Sequence, residues 1–203
     1  LEDYSDKLDD EAKDFLKRIS ASANRMKNMI GDLLTLSRFS KMESSFESIV
    51  PETIIKSALK RIEPIISEKN VQIKIADDLP IIYGDKVKLV EVFYNLISNA
   101  IKYNNREKPI IEIDQPMPQP AKDEVVIYVK DNGIGIEEQY YEEIFKIFKR
   151  LHTREEYGGG TGVGLPIVRK IMDDHNGRVW LESKVEQGTT FYLAFPKKVI
   201  GNL

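Results

Sequence analysis

The chain predicts an α/β protein, on three observations. Stretches with apolar residues every three or four positions alternate with short β-branched and aromatic runs. Two glycine-rich loops sit at junctions between such elements, at 131–136 and at 158–165. Apolar residues make up 41% of 203, enough to build a core.

Residues 5–40 contain no proline and only Gly31, and Phe15, Ile19, Met26, Ile30 and Leu33 recur at helical spacing, with Leu16, Ala23 and Leu34 widening the stripe. One long helix is expected, and since it cannot bury its own stripe it needs a partner helix. Residues 44–51 break the pattern and form a joint with room for a short strand. Domains are therefore expected at 1–44 and 45–203. A second amphipathic helix spans 52–69, with Pro64 as a bend, followed by strands at 71–75 and 81–83. Asp85 can cap the helix at 86–103, whose apolar set is Leu89, Val92, Phe93, Leu96, Ile97, Ala100 and Ile101. Strands at 110–113 and 125–129 flank a surface connection marked by Pro116, Pro118 and Pro120. Residues 137–148 are expected to be helical and 149–157 to form a mobile, charged lid. A helix from Leu165, a turn at His175-Asn176-Gly177, and a hairpin of 178–183 and 189–195 complete the chain.

The chemistry concentrates at the two glycine loops. Asp131 follows the strand 125–129, and a carboxylate there accepts a hydrogen bond from an amino group; Gly133 and Gly135 let a flat ligand lie against the main chain. The second loop runs into a helix, and glycine amides at a helix N-terminus suit phosphate. Glu91, Asn95, Asn99 and Lys102 form one stripe of the 86–103 helix. Carboxamide oxygens can ligate a hard cation and Lys102 can meet phosphate, so Mg²⁺ with a nucleotide is the economical ligand.

Thirty basic and 33 acidic residues leave a formal net charge of −3 with no block of either sign, which gives no electrostatic reason to expect nucleic acid or an anionic membrane as partner. Without cysteine there is neither a disulfide framework nor a thiol nucleophile, and a cytoplasmic location is expected, with any membrane anchor of the intact protein in segments outside this chain. No apolar run reaches the roughly 20 residues that span a bilayer.

Asn95 to Asn99, Asp131-Asn132-Gly133-Ile134-Gly135, Phe145 to Phe148, Gly160-Thr161-Gly162-Val163-Gly164-Leu165 and Gly188-Thr189-Thr190-Phe191 resemble, in this order, the N, G1, F, G2 and G3 boxes of bacterial sensor histidine kinases. They are similar to the ATP-binding domain shared with gyrase, Hsp90 and the MutL mismatch-repair proteins. Arg25 to Arg38 likewise resembles the second helix of the kinases' dimerisation and phosphotransfer hairpin. The resemblance implies a two-layer α/β sandwich of the Bergerat ATP-binding type, with a mixed sheet and helices on one face. It implies ATP and Mg²⁺ as cofactors, Asp131 as partner of the adenine amino group supported by Thr190 through water, and Asn99 as metal ligand with Asn95 beside it. Lys102 becomes a phosphate contact and Tyr103 a neighbour of the nucleoside, while Gly133, Gly135, Ile136, Arg150, Gly160, Thr161, Gly162, Val163, Gly164 and Leu165 line the pocket and lid. In the gyrase and Hsp90 relatives a glutamate occupies the place of Asn95 and activates water; an amide is a poor base, so transfer to a protein side chain is expected rather than hydrolysis.

The chain departs from that family in its histidines. His152 lies in the lid and His175 in a turn, and neither fits a phosphoacceptor, so the receiving histidine is expected upstream in a longer protein of which this is a piece. The expected partners are that histidine-bearing helix, a response regulator and a second copy of the intact protein. The competing expectation is a non-catalytic module that docks a response regulator or partner kinase, its nucleotide site setting only the lid.

Overall fold

The computed structural model describes residues 8–41, 44–120, 123–151 and 161–197. The chain divides into two compact units, 1–41 and 42–203. The first is the helix α1 (Asp10–Lys41), with Asp9 Oδ1 accepting from the Ala12 amide at its start. Along it Phe15, Ile19, Met26, Ile30, Leu33 and Leu34 are exposed, so the apolar stripe has no cover within its own unit.

The second unit carries β1 (Phe46–Ile49), α2 (Pro51–Glu68), β2 (Gln72–Ile75), β3 (Ile82–Asp85), α3 (Lys86–Lys102), β4 (Ile110–Asp114), β5 (Glu124–Asp131), α4 (Gly164–Asp174), β6 (Arg178–Lys184) and β7 (Gly188–Pro196). Five strands form a mixed sheet in the order β2-β4-β5-β7-β6, with β2 parallel to β4 and the other pairs antiparallel. Strands β1 and β3 pair separately as a two-stranded ribbon. The fold is thus the mixed, open-sheet α/β arrangement expected from the sequence.

Alternation along the strands decides which face carries the core. Ile111, Ile113, Val125, Ile127, Val129, Leu181, Phe191 and Leu193 are buried on one face, against α3, which lies between α2 and α4. The apolar stripe of α3 is buried throughout, from Leu89 to Ile101. The opposite face holds Tyr128, Tyr192 and Trp180, with Trp180 stacked on Tyr192 at 5.1 Å between ring centres. Asp85 caps α3 as expected, its Oδ1 accepting from Val87 N and Lys88 N, each at 3.0 Å. Together β5 and α3 fix the functional residues: one ends at Asp131, and the other presents its polar stripe beside that end.

Residues 137–148 depart from the expected helix. Only two single 3₁₀ turns form, Glu138–Tyr140 and Glu143–Phe145. Ile144 and Phe145 are adjacent rather than one turn apart and anchor a single turn; Ile147 and Phe148 are exposed, and Phe148 has a φ of 64°, outside helical space. Between the two turns the Tyr141 hydroxyl is tied to the main chain of Ser183, which holds the segment against β6. The expected lid at 149–157 falls largely outside the described residues, which resume at Thr161.

Candidate functional site

Asp131 ends β5 with its carboxylate held in place from behind. Oδ1 accepts the Gly133 amide at 2.8 Å and the Thr189 amide at 3.3 Å, while Oδ2 has no hydrogen bond among the described residues. Burial pushes this carboxyl up to about 6, against the lowering effect of the two amides. An acceptor fixed on one side and open on the other suits an incoming N–H donor. The glycines beside it are there for close approach. A Cβ on Gly133 would stand 2.4 Å from Tyr103 O and 2.8 Å from Asp131 Oδ1. Gly135, at φ 75°, runs against Lys184 O, and the Ile136 amide donates to Ser183 Oγ at 2.8 Å.

On α3 the polar stripe faces this strand end unevenly. Asn95 Nδ2 donates to the Glu91 carbonyl at 2.9 Å, and Glu91 itself pairs with Arg61 at 2.7 Å. The Asn95 carbonyl oxygen lies against Gly164, where a Cβ would meet it at 2.6 Å, so this oxygen sits at the N-terminus of α4. The Asn99 carboxamide makes no hydrogen bond among the described residues and is half-exposed, one turn further on. Lys102 follows, its Nζ 3.2 Å from the Tyr103 hydroxyl and 4.7 Å from the ring centre. Burial first, and then the Arg150 guanidinium, pulls Lys102 down to about 8. Arg150 Nε is buried and has no hydrogen-bond partner among the described residues. Lys102 and Arg150 are thus close enough to interact, and a pair of neighbouring cations suits a phosphate group.

Among the described residues no three His, Cys, Asp or Glu side chains converge on a metal position. A hard cation here would take Asn99 Oδ1 together with oxygens that the ligand brings, which fits Mg²⁺, an ion that keeps few protein ligands.

The second glycine loop is described from Thr161; Gly160 and His152 lie outside the described residues. Gly162, at φ 74°, accepts the Phe148 amide on its carbonyl at 3.0 Å, and a Cβ there would press on Lys149 O at 2.9 Å. Val163 is fully buried and its carbonyl accepts from Ile167 N, while Gly164 and Leu165 open α4. No side chain caps this helix, and its first-turn amides lie beside Asn95.

Thr190 lies elsewhere than the sequence expectation put it. It pairs with Lys130 and Glu182, and strand alternation turns it to the face away from Asp131. Thr189 occupies the Asp131 side: it is buried, its amide reaches the carboxylate, and its hydroxyl meets Ser183 Oγ at 2.8 Å. Ser183 and Tyr141 were missed altogether. The register of the hairpin, which sets Ser183 opposite Thr189, was the signal that could have found Ser183. His175 is buried, with Nδ1 2.7 Å from Ile171 O and Nε2 accepting the Asp85 amide at 2.9 Å. Those partners fix the neutral tautomer with its proton on Nδ1, and burial lowers its pKa, so it ties the end of α4 to the start of α3.

Known proteins bear on this geometry. The family profile described as "Histidine kinase-, DNA gyrase B-, and HSP90-like ATPase" matches residues 84–199, which include Asn95, Asn99, Asp131 and both described loops. Cyanobacterial phytochrome B of Nostoc sp. is 41% identical over 195 residues, 95% of this chain and 25% of that protein. The chain spans about a quarter of the length of the phytochromes it matches. Among solved structures, the nucleotide-free catalytic domain of the histidine kinase ThkA has 28% identity and a TM-score of 0.61, covering 75% of this chain and 98% of that one. ThkA in complex with the response regulator protein TrrA shares the fold, with 24% identity and a TM-score of 0.67, over 97% of this chain and 55% of that chain. No helix among the described residues is long and apolar enough to cross a membrane. With the ATPase profile lying over the carboxylate, the asparagine stripe and the glycine loops, this chain belongs to the histidine kinase-, DNA gyrase B- and HSP90-like ATPase family and carries the catalytic ATP-binding domain of its histidine kinase branch.

Proposed function

We propose that this chain is the catalytic module of a two-component sensor histidine kinase: it binds ATP with Mg²⁺ and transfers the γ-phosphoryl group to a histidine supplied from outside it, for relay to a response-regulator aspartate. The observation that carries the reading is Asp131, one oxygen pinned by two amides and the other open beside backbone that only glycine permits. Asp131 Oδ2 accepts from the adenine amino group. Tyr103, whose carbonyl accepts from Ile134 N, closes the nucleoside side. Lys102 and Arg150 hold phosphate oxygens, and the α4 amides at Gly164 and Leu165 add donors at the lid. Bound Mg²⁺ would neutralise phosphate charge, with Asn99 Oδ1 as its protein ligand and Asn95 beside it.

Transfer rather than hydrolysis follows from the residues at the phosphate end. Asn95, its Nδ2 engaged by Glu91, offers no base to activate water, and Glu91 is neutralised by Arg61. Catalysis is then positioning and charge neutralisation while an imidazole nitrogen attacks the γ-phosphorus and ADP leaves. The exposed stripe of α1 supports a helical partner, within a hairpin or a homodimer of the intact protein. The TrrA complex of a protein with this fold supports a receiver domain as the downstream partner.

The test is calorimetric titration of ADP and a non-hydrolysable ATP analogue with and without Mg²⁺, then incubation with ATP and a separately supplied hairpin bearing a histidine. Metal-strengthened binding and phosphohistidine on that hairpin are the expected results. A folded sample that binds neither nucleotide would overturn the reading.

A further inference from the structure

Ser183 lies in β6 directly opposite Thr189, and its hydroxyl joins three segments. Its Oγ accepts the Ile136 amide at 2.8 Å, donates to the Gly188 carbonyl at 2.9 Å and lies 2.8 Å from Thr189 Oγ1. Proton counting fixes the direction of every bond. A carbonyl only accepts, so the one Ser183 proton goes to Gly188. Ser183 Oγ then has only lone pairs for its other neighbours, and Thr189 must donate to it. The proton of Thr189 is therefore committed to Ser183, and Thr189 Oγ1 offers only lone pairs to anything else it meets.

Tyr141 holds the donor geometry rigid. Its hydroxyl accepts from Ser183 N at 2.9 Å and donates to Ser183 O at 2.8 Å. Thr189 and Asp131 share a face of the sheet, and the Thr189 amide is spent on Asp131 Oδ1. What the side chains of Asp131 and Thr189 have left to offer a ligand is acceptors: Asp131 Oδ2 and the lone pairs of Thr189 Oγ1.

We propose that Ser183 is a positioning residue that, by orienting the Thr189 hydroxyl and clamping the Ile136 amide, makes the pocket select a base with an exocyclic amino group over one with a carbonyl in its place. This rests on the nucleotide reading above. An acceptor-only surface rejects a carbonyl because two lone pairs are forced together with no proton between them.

ADP and inosine diphosphate test this, since they share sugar and phosphates and differ only in the base, an exocyclic amino group beside a bare N1 against a carbonyl beside an N1–H. Each variant is read against the wild type with the same pair. Both are titrated calorimetrically into the wild-type chain and into Ser183→Ala, Ser183→Thr and Thr189→Val. The wild type is expected to prefer ADP. In Ser183→Ala the Thr189 proton is released to face the base, and the ADP-to-IDP affinity ratio is expected to fall about three- to tenfold. Ser183→Thr keeps the hydroxyl and should restore the ratio. Thr189→Val removes the oriented oxygen and should lower the ratio without touching Ser183, which also serves if circular dichroism shows Ser183→Ala unfolded. Equal loss of both nucleotides in Ser183→Ala, or an unchanged ratio in Thr189→Val, overturns the inference and leaves nucleotide binding standing. A wild-type chain that binds neither overturns the nucleotide reading, and this inference with it.

Discussion

Asp131 is destabilising to the fold in the state that function requires. Its carboxyl proton is held more tightly folded, at about 6, than unfolded, at 3.8. The contribution to stability is thus present in full below 3.8 and is lost as pH rises through about 6. Asp131→Asn keeps an oxygen for the Gly133 and Thr189 amides and removes the desolvated charge. Urea denaturation should find it little changed at pH 4 and about 1–3 kcal/mol more stable at pH 8. Nucleotide binding should meanwhile weaken about 10- to 100-fold, the loss of a charge-assisted hydrogen bond. In the wild type, affinity should fall as pH drops below about 6 and the carboxylate takes up its proton. Lys102 gives the opposite slope. Held near 8 by burial and Arg150, it loses its proton well below its ordinary 10.5, and a bound phosphate favours the charged form. Binding at pH 8.5 to 9.5 should therefore take up a fraction of a proton, read as a dependence of calorimetric heat on the buffer's ionisation enthalpy. Lys102→Met should abolish that dependence; its persistence would locate the proton elsewhere.

At the scale of elements, two glycines that look alike in sequence are expected to fail differently. Gly188, at φ 109°, has the Asp131 main-chain oxygen 2.0 Å from where a Cβ would stand. Neither backbone can yield cheaply, and Gly188→Ala should cost about 3 kcal/mol or more by chemical denaturation. At Gly164 the obstacle is the Asn95 amide oxygen, the end of a side chain that can turn away. Gly164→Ala should cost only about 1 kcal/mol, yet lower phosphoryl transfer by displacing Asn95; a large stability loss with normal transfer would contradict this. Periodicity made the helices and most strands readable, since α2 to α4 each bury one apolar face and the stripe of α1 repeats at helical spacing though it is exposed. It failed at 137–148, where Tyr141 draws the chain onto β6 through a contact 42 residues away in sequence. The same limit applied at the site. Asp131 and the glycines were legible because backbone demands are local, whereas both the choice of Thr189 over Thr190 and the place of Ser183 opposite it depended on strand register.

At the scale of the whole molecule, the division into 1–41 and 42–203 predicts that the two parts can be separated. A chain of residues 42–203 should keep its melting temperature within about 2 °C, since these residues form a compact unit of their own, and should bind ADP as the longer chain does. A large drop in either would mean that α1 supports the site. The full chain should self-associate at high concentration through the stripe from Phe15 to Leu34, and sedimentation should show this lost in the shorter one.

Trp180 is the only tryptophan in the sequence, and it lies stacked on Tyr192 with Arg178 over its ring, on the sheet face away from Asp131. Its emission therefore reports the integrity of β6 and β7 without interference from a nucleotide on the other side. Intrinsic fluorescence should follow unfolding of the sheet in every variant above and stay flat during an ADP titration. One optical signal thus separates a chain that has lost its fold from one that has lost its ligand.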